Sequence, residues 1–172
     1  MENLLTAIID ILEEHGRELG LSYIDEEYGQ VEMLDSDNAE TYPVTFPAVL
    51  VDSSGEQWEQ LGRQHQKGRA TVNVNIYIDC YHDTHAYSNT RHRVAERMGL
   101  VRSITELLQG VTPIDGVTGV LTRTATTTST NAHGIKMYQV TFTTPVYESF
   151  DRTETHEVQA VTINAKLRQW GR

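Results

Sequence analysis

The chain has 172 residues, enough for one domain with its own core and too few for two comfortable ones; 38% hydrophobic and 22% charged residues are the composition of a folded globular protein. Its formal net charge of −10 argues against a nucleic-acid-binding surface, which needs clustered Lys and Arg, although nucleic acid could pass an acidic body without sticking to it. A single cysteine, Cys80, excludes an intrachain disulfide framework and fits a reducing compartment.

The first residues, Met1-Glu2-Asn3-Leu4, lack the basic start of a signal peptide. No apolar run approaches the roughly 18 residues a membrane span needs, so a soluble, cytoplasmic product with no membrane partner is expected. Leu4, Leu5, Ile8, Ile9, Leu12 and Leu19 recur near helical spacing, with Glu13, Glu14, Arg17 and Glu18 mostly opposite, and Gly20 as a stop. Residues 25–42 then carry Asp25, Glu26, Glu27, Glu32, Asp35, Asp37 and Glu40 with no Lys or Arg, which reads as a solvated, partly irregular connection.

The run Phe46-Pro47-Ala48-Val49-Leu50-Val51 predicts a strand, ended by a turn at Asp52-Ser53-Ser54-Gly55. Pro47 has no amide to donate, so it belongs at the strand's start or on an edge. Residues 56–67 are polar, with Trp58 and Leu61 the only large apolar side chains, and fit a loop or a short helix equally. The clearest strand follows. Val72, Val74, Ile76, Ile78 and Cys80 alternate with Thr71, Asn73, Asn75, Tyr77 and Asp79, predicting one buried and one polar face with Cys80 in the core.

A second helix is expected within residues 84–108, with Val94, Met98, Val101, Ile104 and Leu108 as its stripe and Gly110 and Pro113 closing it. Strands at about 120–128 and 135–147 come next, joined by the hairpin loop Asn131-Ala132-His133-Gly134. The order αββαββ predicts an α+β fold, one mostly antiparallel sheet with both helices packed on one face. Residues 1–148 form the expected domain and 149–172 an appended arm, in which residues 158–167 read as a further strand suited to docking.

Catalytic and metal motifs fail on inspection. His156-Glu157 opens like HExxH, but Ala160 stands where the second histidine should be. Asp35-Ser36-Asp37 opens like a calcium loop, but Ala39, Glu40 and Phe46 occupy its later key positions. No nucleophile elbow or phosphate-binding glycine loop occurs, and Lys67, Lys136 and Lys166 lack a Glu two positions before them. The remaining cluster, His82, Asp83, His85 and His92, offers weak metal candidates in His82, Asp83 and His85 and otherwise reads as solvated histidines at a strand-to-helix turn. No catalytic residue, cofactor or metal is therefore expected, and the chain reads as a non-enzyme. A small metal- or ligand-binding domain using that cluster is the alternative of a different class.

Uncharged polar strands supply the positive signal. Thr71, Asn73, Asn75 and Tyr77 carry no charge, and residues 124–135 contain no Asp, Glu, Lys or Arg. Such strands are poorly protected against pairing with another chain, a route to subunit assembly. Thr71, Asn73, Asn75, Tyr77, Thr124, Thr126, Thr128, Asn131 and His133 are the interface candidates.

A resemblance rests on the arrangement of these pieces. The N-terminal helix leads to the strand segment Tyr42-Pro43-Val44-Thr45-Phe46-Pro47-Ala48-Val49-Leu50-Val51, a long strand ends in Tyr77-Ile78-Asp79-Cys80-Tyr81, and a hairpin closes with Tyr138-Gln139-Val140-Thr141-Phe142-Thr143-Thr144-Pro145-Val146-Tyr147. Across residues 1–148 this resembles the tail terminator (tail completion) proteins of long-tailed bacteriophages and related prophage elements. The resemblance implies a structural protein that self-assembles into a ring, typically a hexamer, which caps the tail tube protein and joins it to the head–tail connector protein. It implies a place in the virion neck, host cytoplasm during assembly, and DNA passing through the lumen without specific binding. Another neck or connector component would share these features. The acidic stretch around residues 35–40 and the arm 149–172 depart from the family pattern.

Overall fold

The structure, a computed structural model, describes residues 2–35, 44–130 and 134–150. Helix α1 (Glu2–Leu19) ends at Gly20, whose φ of 69° completes a left-handed cap: Gly20 N–H bonds Arg17 O at 3.2 Å and Leu21 N–H bonds Gly16 O at 2.9 Å. Strand β1 (Tyr23–Glu26) follows, then a single 3-10 turn (Glu32–Asp35), β2 (Ala48–Gln60), β3 (His65–Asp79), α2 (Arg93–Leu108), β4 (Thr122–Thr130) and β5 (Ile135–Ser149). The five strands make one sheet in the order β1-β2-β3-β5-β4. β1 runs parallel to β2 and every other pair is antiparallel.

The α+β fold and the placement of both helices on one face agree with the sequence. Leu4, Leu5, Ile8 and Leu12 of α1 and Val101, Ile104 and Leu108 of α2 pack against Val49, Val51, Val72, Val74, Ile76, Ile78, Tyr138, Val140 and Phe142. The alternation along β3 is what aims its apolar residues at the helices. A smaller cluster of Val31, Val44, Ala48, Leu50, Tyr77 and Ile135 covers part of the opposite face, beneath the chain leading from β1 to β2.

Several local expectations change. The acidic stretch begins with β1, a four-residue strand whose Tyr23 pairs with Ala48. The predicted turn at residues 52–55 is a bulge: the register shifts between Ser53 and Gly55, Gly55 takes φ 111°, and β2 continues to Gln60. Residues 56–67 are neither loop nor helix but mostly the arms of the β2–β3 hairpin, where Leu61 N–H closes on His65 O at 2.9 Å. Pro47 directly precedes β2 and keeps its carbonyl in use, accepting from Ser22 N–H at 2.9 Å. Cys80 lies one residue beyond β3 and is half-buried, outside the core assigned to it. In α2 only the second half of the predicted stripe is buried; Val94 and Met98 are exposed. Asp37, Glu40, the hairpin residues Asn131 and His133 and most of the arm, residues 151–172, lie outside the described residues.

Candidate functional site

β4 owes its conformation to threonine, whose branched side chain favours extended backbone, and to its pairing with β5 from Thr122–Thr143 to Thr130–Lys136. Among the described residues β4 has a neighbour on one side only, and all nine of its residues are exposed. Its end near α2 is pinned by Arg123 N–H, which bonds Gln109 Oε1 at 2.9 Å. Beyond Arg123 the strand reads Thr-Ala-Thr-Thr-Thr-Ser-Thr, so its free edge carries no charge to repel a second strand. Three of the interface candidates, Thr124, Thr126 and Thr128, sit on this edge. β1, at the other edge of the sheet, is only four residues long.

A groove of about 700 Å³ lies between α2 and β4, bordered by Met98, Thr105 and Gln109 of the helix side, by Thr124 and Thr126 of the strand, and by the charged Arg102, Glu106 and Arg123. Met98 is 51% exposed at its wall. Sequence periodicity assigned Val94 and Met98 to the core; both are exposed, and Met98 stands beside the open strand edge on a helix face that also carries the Arg102–Glu106 ion pair. At the other end of the sheet, Trp58, Val117 and Tyr147 border a small cleft and are also exposed, a second apolar surface that the sequence did not signal.

The four candidates on β3 divide into two pairs. Thr71 and Asn73 lie on the face away from the helices, half-buried; Asn73 Nδ2 donates to Ser54 Oγ at 2.6 Å and Asn73 Oδ1 accepts from Thr141 Oγ1 at 3.0 Å. Asn75 and Tyr77 are interior, 3% and 4% exposed. Glu27, just past β1, reaches over them: its carboxylate accepts from Tyr77 Oη at 2.5 Å and from Asn75 Nδ2. Burial, and then the Glu27 carboxylate, push the Tyr77 hydroxyl well above its ordinary range, so it stays a donor. Tyr23 is raised as well, by burial and by its 2.8 Å bond to Asp25 Oδ2. Asn75 and Tyr77 are thus buried within the chain, bonded to Glu27.

In the histidine cluster, His85 Nε2 lies 3.2 Å from Asp83 Oδ2 with both side chains well exposed, while His92 lies 3.8 Å from Glu96 at the start of α2. His82 borders a separate depression with Pro47, Arg93 and Leu100. The cluster is thus dispersed, and among the described residues no group of three or more His, Cys, Asp or Glu side chains is gathered as a metal site. Among them, too, no helix is long and apolar enough to cross a membrane.

The chain matches no protein-family model and no curated protein. Among solved structures its fold is similar to a chain of the structure described as the virion of native gene transfer agent (GTA) particle, with a TM-score of 0.55 at 9% identity. The match covers 83% of this chain and 93% of that one. At that identity the likeness is one of fold.

Proposed function

We propose that this chain is a structural subunit of a virion, and specifically a tail terminator. In this reading it assembles into a hexameric ring, caps the tail tube protein and meets the head–tail connector protein on its other side. The observation that carries the virion assignment is the fold shared along nearly the whole length of a GTA virion chain. The finer assignment rests on the sequence resemblance to tail terminators. Such a subunit acts in the neck of the particle after assembly in the host cytoplasm, and it performs no catalysis.

The geometry supports assembly through β4. An edge strand of nine exposed residues, uncharged beyond Arg123, invites pairing unless something covers it. Thr124, Thr126 and Thr128, with Met98 beside them, are the proposed contact between subunits, and Asn131 and His133 in the β4–β5 connection the proposed contact with an adjoining ring. Thr71 and Asn73 remain on a sheet face available to the tube or connector. The net charge of −10 suits a ring whose lumen lets DNA pass without retention.

The test is to incubate the purified chain with growing tail tubes of the same particle and image them by negative-stain electron microscopy. Rings at one tube end, with tube growth arrested, are expected. Bare tubes of unchanged length distribution would contradict the assignment.

A further inference from the structure

We propose that residues 158–167 of one copy add as a β-strand to the open edge of β4 in the neighbouring copy. This deepens the ring reading, and rests on it, by naming what covers the edge.

The edge and the arm fit each other in three respects. Both are uncharged over most of their length: residues 124–130 of the edge, and 158–165 of the arm, Val-Gln-Ala-Val-Thr-Ile-Asn-Ala, before Lys166. Both are long enough for a full ladder, since β4 spans Thr122–Thr130 and the arm segment is of similar length. The alternation also matches the surroundings of the edge. Val161, Ile163, Ala165 and Leu167 recur at period two, so an added strand turns all four to one face. On the helix side of β4 lies the groove of about 700 Å³, where the exposed Met98 would meet that row beside the Arg102–Glu106 ion pair and Arg123. The opposite row is Val158, Ala160, Thr162, Asn164 and Lys166, of which Thr162 and Asn164 would continue the polar face that Thr127, Gln139 and Thr141 begin.

Chain direction favours a neighbour's edge over the arm's own. β5 ends beside the β2–β3 hairpin tip, where Phe150 N–H bonds Gln64 O at 2.8 Å. β4 runs antiparallel to β5, so its Thr122 end lies nearer that point and its Thr130 end, opposite Lys136, is far from it. Eight residues lead from Phe150 to Val158, a reach of about 26 Å at roughly 3.3 Å per residue. An antiparallel addition to its own β4 would have to begin near Thr130, about 46 Å away along β5. Only a parallel pairing is within reach of the same chain, and the antiparallel ladder is the more stable of the two. A neighbouring copy removes the restriction.

The test uses full-length chains in a Cys80→Ser background. One preparation carries Thr126→Cys, whose partner Val140 places it on the helix side, and the other carries Ile163→Cys. Mixed and oxidised, they are expected to give a disulfide-linked heterodimer at least about tenfold above a control mixture in which Glu13→Cys, exposed on α1, replaces Thr126→Cys. No excess over the control overturns the proposal. So does a chain carrying both cysteines that, at high dilution, closes on itself instead of linking to another copy. Light scattering on the same preparations separates this claim from the ring: rings without the cross-link refute strand addition and leave the ring standing, whereas absence of rings refutes the ring reading.

Discussion

The Tyr77 hydroxyl donates a 2.5 Å hydrogen bond to Glu27 Oε1, tying the middle of the sheet to the segment just beyond its edge strand, 50 residues earlier in the chain. The same carboxylate takes the amide of Asn75, while Asn75 Oδ1, buried beside it, finds no partner among the described residues. One acidic side chain thus satisfies two buried donors. Glu27→Ala would leave both unpaired and should cost about 2–4 kcal/mol, whereas Tyr77→Phe, which removes the donor with its need, should cost about 1 kcal/mol. Urea denaturation of the two variants checks the order.

Alkaline pH acts on the same contact. The Tyr77 hydroxyl holds its proton more tightly in the folded chain than in the unfolded one, so the stabilisation is complete below the ordinary tyrosine value near 10 and is lost as pH rises beyond it. Tyr23 shifts in the same direction. Melting temperatures measured from neutral pH to pH 11, roughly one unit past that value, should fall above about pH 10, and less steeply in Tyr77→Phe. An identical decline in both proteins would show that Tyr77 is not the group responsible.

How much of this was legible follows from where each signal resides. The alternation from Thr71 to Asp79 marks a strand by itself, and so do the stripe of α1 and the glycine that stops it. Asn75 and Tyr77 read as surface because a polar side chain is expected to face water; only Glu27, brought over them by β1, makes their burial tolerable. Residues 56–67 resisted assignment because most of their side chains are exposed, so little hydrophobic period is imposed on them. The bulge at Gly55 looked like a turn because the two share the same residues. In the candidate site, the missing charge of β4 was visible in sequence. Its position at the edge, and the exposure of Met98 beside it, required the strand order.

The edge carries a prediction about assembly. Thr126→Lys places a charge on the open strand without touching the core, so oligomers should weaken while the melting temperature of the dissociated subunit changes little. Met98→Asp should act in the same direction from the groove wall. Size-exclusion chromatography with circular dichroism on the same samples reads both quantities. Oligomers unchanged by either substitution would remove this edge as the contact.

The β2–β3 hairpin depends on a close approach at Gly68. A Cβ there would stand 2.7 Å from Gln57 O and 2.8 Å from Trp58 Cε3, so the indole covers the space that a side chain would need. Backbone cannot yield as a flexible side chain does, and Gly68→Ala should destabilise the fold by about 1–3 kcal/mol. Tryptophan fluorescence should shift with it, since Trp58 must move off the strand. An unchanged emission and midpoint would mean that the hairpin adjusts without cost.

The most direct test of the central claim is the mass of the protein in solution, followed by light scattering over a concentration series with and without the tail tube protein proposed as its partner. The account predicts a species of hexamer mass, a multiple of the 19.4 kDa chain, formed alone or on the tube. A monomer at every concentration, indifferent to the tube protein, would contradict it.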